Sequence, residues 1–440
     1  NLSSNMIKML RDGENMPFYN QRNVLLYDRS ENVYHFRWNE GKIQYTYFDQ
    51  QLGRYNTSTL VEDCALEFDA VIDERDHIYF IYQRTDGNLL LMVYSGDEWN
   101  TSLLGEFQKG NIANLNILEH QGKIHILYCV SDDEENRLYH VYHHFYEEGS
   151  WKSNSLGEIR TKGILNPFQF IKHKEYLIFG FYNLVNQEEQ IFIKWFNTIE
   201  AQWESTMRLT NNFNGKLYLD ILVLKDGVLH LAYSEYVEGN LVIKYEKYKI
   251  EESKASKISE HVLSNPANAS YPSFVAQADK LWVVWTEYDQ VMSCFTVDQG
   301  LTWSQPYLWK ETKEYKFFRY KFYTNNERIQ NYYQLSHAFG KDYPEFSFVG
   351  FGDIQNAVEV PKKKEETGEE KNVFSYRQEG MNETKKEAAQ KQNKDIQREW
   401  TREDLSRLFD RIETLEQRVQ DIEDYLLRRR RGGLFYQNRR

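Results

Sequence analysis

Six carboxylic acids sit where apolar runs give way to polar turns: Asp73, Asp132, Asp133, Glu235, Glu287 and Asp289. Hydrolysis of a glycosidic bond needs two carboxyls at a suitable separation, one acting as acid and the other as base or nucleophile. At strand ends these side chains would face one end of a common channel. Acids in such places are, however, far more often the solvated face of loops. His140, His143 and His144 form the other cluster able to do chemistry. They fall on one strand, whose successive side chains alternate faces, which argues against a shared metal. No HExxH, GxSxG, P-loop or GxGxxG pattern occurs, and no cofactor is expected.

The elements that would position these residues repeat. Six segments share one outline, an apolar run, a polar turn and a strand ending in a large aromatic. They are Val24–Trp38, Ala70–Tyr82, Leu115–Tyr128, Phe168–Tyr182, Ile221–Tyr233 and Phe274–Trp285. Their terminal aromatics Trp38, Tyr82, Tyr128, Tyr182, Tyr233 and Trp285 are 44, 46, 54, 51 and 52 residues apart. Each segment reads as the inner hairpin of a propeller blade. Recurrence in all six copies assigns these aromatics to blade packing rather than to a sugar-stacking ring.

A second signal keeps the same beat. Thr296-Val297-Asp298-Gln299-Gly300-Leu301-Thr302-Trp303 has a short acid that can accept backbone hydrogen bonds in a tight turn, a Gly that permits positive φ, and a Trp that packs the hairpin on its sheet. Weaker copies end at Trp99, Trp151 and Trp203, spaced by 52 and 52 residues, with Trp303 a further 100 on. One copy, around Glu251 to Ser256, has lost its Trp, and Asp49–Tyr55 substitutes Tyr.

The segment Thr296–Trp303 matches [ST]-x-D-x-G-x-[ST]-W and resembles the Asp-box of sialidase-type β-propeller families, with Thr296, Asp298, Gly300, Thr302 and Trp303 as its structural residues. The resemblance implies an all-β propeller. For enzymes of that kind it also implies three Arg clamping a carboxylate, a Glu-activated Tyr nucleophile and an Asp acid/base. No Arg-Ile-Pro signature is present, and Met16-Pro17-Phe18-Tyr19 carries no Arg. The inner hairpins offer chiefly Arg29, Arg37 and Arg75, from which no triad can be placed. Catalytic residues are therefore not assigned, and a protein without enzymatic activity is expected.

Six copies account for the chain to about residue 306. Tyr307–Asp353 is as long as one more blade and holds strand candidates at Tyr315–Tyr323, Arg328–Leu335 and Phe346–Phe351. Met6–Leu10 could supply a closing strand, because an unpaired sheet edge is a liability. Seven blades are expected over 1–355, with six blades and an appended hairpin region as the alternative.

Composition agrees. Aromatics make up 15% of the chain, including 32 Tyr, and favour pleated, half-buried surfaces. Residues before 356 carry 34 basic and 48 acidic side chains, a net of −14, which disfavours nucleic acid as a partner. Cys64, Cys129 and Cys294 suggest neither a disulfide framework nor a metal site, and lean towards a reducing compartment. A cytoplasmic location or a place in a bacterial cell or spore assembly is expected. Secretion stays open because the chain begins without Met. No apolar run approaches the roughly 20 residues of a membrane span.

Residues 356–396 read as a charged, flexible linker. In 397–431 a heptad places Leu405, Ile412, Val419 and Leu426 at a, and Leu408, Leu415 and Ile422 at d. Arg411 and Arg418 fall at g, Glu416 and Glu423 at e. The two R-h-x-x-h-E sextets resemble the trimerisation motif of short parallel coiled coils, so a homotrimer is expected, with a dimer as the alternative. Arg428, Arg429, Arg430 and Arg431 precede the basic tail 432–440, whose Leu434, Phe435 and Tyr436 could dock on an acidic protein surface. These features favour an oligomeric scaffold displaying propellers on a stalk. The alternative is a multivalent carbohydrate-binding or glycoside-hydrolysing propeller.

Overall fold

A computed structural model describes residues 22–363, apart from 97, 108–111, 134–136, 163–164, 238, 252–253 and 343–345. The expected closing strand at Met6–Leu10, the linker from 364 on, the heptads and the Arg-rich tail lie outside the described residues. Six antiparallel sheets form six blades spanning 23–61, 68–105, 112–160, 169–208, 216–262 and 270–309. Each expected inner hairpin is the first and second strand of one blade. Thr296–Trp303 and its weaker copies lie at the turns from third to fourth strand.

The turn chemistry of the full motif follows from its residue types. Asp298 Oδ1 accepts from the Leu301 and Thr302 amides at 3.0 and 2.9 Å, and Oδ2 accepts from the Thr302 hydroxyl at 2.6 Å. Those hydroxyl and amide donors, with the Thr296 hydroxyl foremost, hold the Asp298 carboxyl well below the usual carboxylate range. Gly300 adopts φ +85°, and any Cβ there would strike the Tyr245 hydroxyl. Trp303 packs edge-on against Tyr245, with ring centroids 4.7 Å apart.

Apolar cores fill the spaces between successive blades: Phe36 and Phe80 between the first and second, Ile117 and Ile126 between the second and third, Phe179 and Phe196 between the third and fourth. Leu231 and Tyr233 continue the series between the fourth and fifth, and Phe274 and Trp285 between the fifth and sixth. The six aromatics that end the second strands all lie in these cores or pack against them, as their recurrence requires.

The expectation of seven blades is corrected to six. Tyr307–Trp309 is the fourth strand of the last blade, and Phe317–Thr324 forms no sheet with its neighbours alone. It instead runs parallel to the first inner strand, Asn23–Tyr27, pairing Val24 with Lys321 through Tyr27 with Thr324. Most of Arg328–Leu335 is the short helix Glu327–Tyr332, and its last residues, Tyr333–Leu335, pair with the inner strand of blade six. His337–Lys341 returns antiparallel to Phe317–Thr324, and Phe348–Val349 pairs outside it.

Side-chain alternation explains this placement. Phe318, Tyr320 and Phe322 pack on Leu25 and Val33 of blade one. Phe317 on the other face joins Phe339 and Val349 against Val275, Trp282 and Val284 of blade six. The segment thus fills the wedge between last and first blades, while Arg319, Lys321 and Tyr323 point into the central channel.

Candidate functional site at the propeller axis

One polar residue interrupts the apolar run of every inner strand at the same register: Asn23, Asp69, Asn116, Gln169, Asp220 and Ser273. All six are buried. They ring the axis and answer a backbone problem, since an inner strand presents an unpaired edge to the channel. Asp69 Oδ2 accepts the amide of Ile117 on the next blade at 2.8 Å, and Asp220 Oδ2 accepts that of Phe274 at 2.6 Å. Gln169 accepts from Ile221 and donates to Asp220 Oδ1. Two residues before the ring position on blade two, Glu67 Oε2 accepts the Leu115 amide at 2.8 Å while its Oε1 holds Arg22 at 2.8 Å. On blade one the edge is covered by Phe317–Thr324 itself.

Two acids in the ring meet two cations on the closing strand. Lys321 Nζ donates to Asp69 Oδ2 at 2.6 Å and to Asn116 Oδ1 at 2.8 Å. Arg319 donates to Ser273 Oγ from Nε and Nη2 at 3.4 and 3.3 Å and lies in the field of Asp220. Burial pushes the Asp220 carboxyl up to about 7, and burial lowers both Arg319 and Lys321 against the opposing pull of their acids. His337, beside the same groups, is pushed well below its ordinary value by burial and by Arg319 and Lys321.

Three residues before the donor amides, the backbone bulges. Asn114, Tyr218 and Tyr271 take φ of 53°, 55° and 56°, each at a register shift of its inner strand. Left-handed conformation is uncommon for a bulky residue and costs on the order of 1–3 kcal/mol. The two tyrosines, on neighbouring blades, stack with ring centroids 4.1 Å apart and an interplanar angle of 26°.

Beside the closing strand remains a cavity of about 1160 Å³. Tyr139, Tyr218, Tyr271, Asn114 and Arg137 line the end where inner strands begin, while Glu74, Lys172, Glu327, Gln330 and Gln334 line the end where they finish. The latter five are exposed, so the cavity reaches solvent there.

The acids expected at one channel end are divided between the two ends. Asp73 follows a first strand and the others follow second strands, which run the opposite way. Asp73 caps its turn by accepting from the Arg75 and His77 amides at 2.8 Å. Glu235 is buried against Asn212 and Lys244, and Glu287 accepts from Trp285 Nε1 at 2.8 Å. Asp289 sits in a turn at φ +60°, and the side chains of Asp132 and Asp133 lie outside the described ones. Arg29 pairs with Asp76, and Arg37 pairs with Asp342 at 3.0 Å, so each of these two already holds a carboxylate of the chain itself.

His143 is structural. Trp203 Nε1 can only donate, and it reaches His143 Nδ1 at 3.1 Å. The imidazole proton therefore sits on Nε2 and is donated to His125 Nδ1, also at 3.1 Å. Both rings are neutral, because burial drives His125 down to about 3 and His143 well below its ordinary value.

Fold and site together define a six-bladed propeller with a polar axial cavity. No protein-family model matches the chain, and no curated protein matches it in sequence. Among solved structures it resembles the six-bladed fucose-recognising lectin of Aleuria aurantia, at 11% identity over 65% of this chain and 95% of that one, TM-score 0.41. It also resembles a polysaccharide lyase, an ulvan lyase, at 10% identity over 69% and 89% of the two chains, TM-score 0.44. A sialidase variant from Streptococcus pneumoniae matches 45% of this chain and 33% of its own, at 14% identity and TM-score 0.32. The expectation of an oligomeric scaffold is corrected here. The described body carries a ligand-sized cavity, and the solved structures it resembles are a lectin, a lyase and a sialidase rather than scaffolds.

Proposed function

We propose that this propeller binds carbohydrate in its axial cavity. The observation that carries the reading is the stacked pair Tyr218–Tyr271, held in a left-handed backbone at the cavity wall. Strain at two neighbouring bulky residues is retained where it serves a site. Aromatic faces with amides nearby suit a sugar ring, whose C–H faces are apolar and whose rim is hydroxyls. The volume matches small-ligand sites, which run to about 1,000 Å³. Binding rather than cleavage is the reading, because the acids of the axial ring spend their oxygens on backbone amides and on Lys321. Heptad positions Leu405 to Leu426 would gather several copies and multiply a weak single contact.

The full chain on an array of immobilised glycans tests this. Saturable binding is expected, competed by free sugar and lost in Tyr271→Gly, which removes the ring and relieves the backbone. Absence of binding to every glycan refutes the reading. Turnover of chromogenic glycosides that Tyr271→Gly abolishes would replace binding with catalysis.

A further inference from the structure

Resting on that reading, we infer that Asp220 is the positioning residue of the site: its carboxylate ties together the two strands that carry Tyr218 and Tyr271, and the tyrosine stack forms only while that tie is held. Asp220 is 1% exposed and is not part of the cavity wall, so it meets no guest and acts through the tyrosines alone. Tyr218 belongs to Lys216–Val223 of blade five and Tyr271 to Ser270–Gln277 of blade six. These strands lie in different sheets, so no backbone ladder sets the distance between them. Regular pairing within each sheet resumes just past the two bulges, at Asp220 and at Ser273. There Asp220 Oδ2 accepts the amide of Phe274, the residue after Ser273, at 2.6 Å. One side chain thus bridges the strands two residues beyond one tyrosine and three beyond the other. The rings, with centroids 4.1 Å apart, leave little slack in that spacing. A gap of about 0.5–1 Å already forfeits a quarter to a half of a van der Waals contact.

The tie needs the ionised carboxylate. Oδ1 accepts from Gln169 Nε2, and Gln169 Oε1 is spent on the Ile221 amide. A proton on Oδ1 meets the Gln169 amino group unless that amide turns, and turning it strips Ile221 of its acceptor. A proton on Oδ2 leaves Phe274 only a hydroxyl oxygen to bond. Arg319, on the closing strand, supports the charged form. It lies in the field of Asp220, donates to Ser273 Oγ from Nη2 at 3.3 Å and stands over the Tyr271 ring at 5.8 Å. His337 also faces the carboxylate, with Nδ1 4.0 Å from Oδ1, and is kept neutral by burial, Arg319 and Lys321. Burial raises the Asp220 carboxyl to about 7, so the tie is held above that pH and released below it.

The test is calorimetric titration of the full chain with the free oligosaccharide of the array glycan it binds most tightly, at pH 8 and pH 6. With only the ionised form competent, about a tenth of the molecules can bind at pH 6, so affinity is expected to fall about tenfold. At pH 7, titrations in phosphate and in Tris, which differ in ionisation enthalpy, are expected to show release of about half a proton per ligand bound. Asp220→Asn places an amino group against a donor, either that of Gln169 or the Phe274 amide. It is expected to bind at least about tenfold more weakly than the parent at pH 8, with no further loss at pH 6. Should this variant not fold, as judged by tryptophan emission, the two measurements on the parent decide. Equal affinity of the parent at both pH values without proton release overturns the inference and leaves the carbohydrate reading in place. So does an Asp220→Asn variant that binds as the parent does or keeps its pH dependence. No binding by the parent at either pH, together with a blank glycan array, overturns the reading beneath it.

Discussion

Replacing Lys321 with Met removes the charge that joins the closing strand to the ring and leaves a side chain of similar length. Asp69 is 1% exposed, and its oxygens then keep only the amides of Ala70 and Ile117. Breaking a buried pair by deleting one partner costs about 3–5 kcal/mol, because the remaining charge is uncompensated. Two surviving amide donors place this case near the lower end, about 3 kcal/mol. The body of roughly 340 residues should unfold with an entropy of about 0.7 kcal/mol/K, so the midpoint falls by about 4 °C. The partner variant Asp69→Asn keeps an acceptor for Ile117 and strands the ammonium instead. If the pair is what matters, the double variant regains at least about 1.5 kcal/mol over the sum of the singles. Urea unfolding at pH 7, followed by tryptophan fluorescence, measures the cycle. Additivity within about 0.5 kcal/mol, or a Lys321→Met variant as stable as the parent, refutes the role given to this pair.

Acidification should destabilise the propeller from about pH 6.5 downwards. His35 and His230 are pushed down to about 4 and His125 to about 3 by burial, and burial holds His143 well below its ordinary value, so the unfolded chain takes up these protons while the folded one does not. Their stabilising contribution is present above 6.5 and is lost as pH falls towards about 4, at about 1 kcal/mol per histidine between pH 6.5 and 5.5. Asp220, raised to about 7, takes up a proton in the folded state across the same window and offsets about one histidine. The loss from these five groups, near 3 kcal/mol, can be read as a minimum from urea midpoints at the two pH values, and a flat profile contradicts the burial of neutral rings. Gly300→Ala should cost about 2–4 kcal/mol, since φ +85° disfavours a Cβ and Tyr245 must leave His230, which it meets at 2.8 Å. A midpoint shift under 1 °C would show that the turn can rearrange. Tyr218→Gly should change stability by less than about 2 kcal/mol, because lost burial and relieved strain nearly cancel, while glycan binding disappears. Retained binding would move the site away from the tyrosine stack.

The blades were legible because their signals are local. Alternation within Ala70–Tyr82 or Phe274–Trp285 fixes a half-buried hairpin, and Asp298, Gly300 and Trp303 fix the following turn, whatever lies elsewhere. The seventh blade was misread for the complementary reason. Phe317–Thr324 alternates as any blade strand does, but its pairing partner is Val24–Tyr27, almost 300 residues earlier, and alternation reports faces rather than edges. The polar ring was likewise readable only in hindsight: Phe68-Asp69-Ala70 and Leu219-Asp220-Ile221 each look like a single flaw in an apolar run. Aligned on the blade period, those flaws coincide. Acids at strand ends such as Asp73 stand out more plainly in the sequence, yet turn capping explains that one.

How the ring of blades is closed follows from the same strand. Blade one and blade six are each built from consecutive strands, so among the described residues neither borrows a strand from the other terminus. Closure instead uses the wedge between them. Phe317–Thr324 bonds the inner edge of blade one, Tyr333–Leu335 bonds the inner strand of blade six, and His337–Lys341 links the two. That solution brings a strand to the axis, where its cavity-facing positions must be compatible with the acids that clasp blade to blade. Asp69 and Asp220 serve the clasps, and Arg319 and Lys321 neutralise them. The charges at the centre of this propeller therefore belong to its closure.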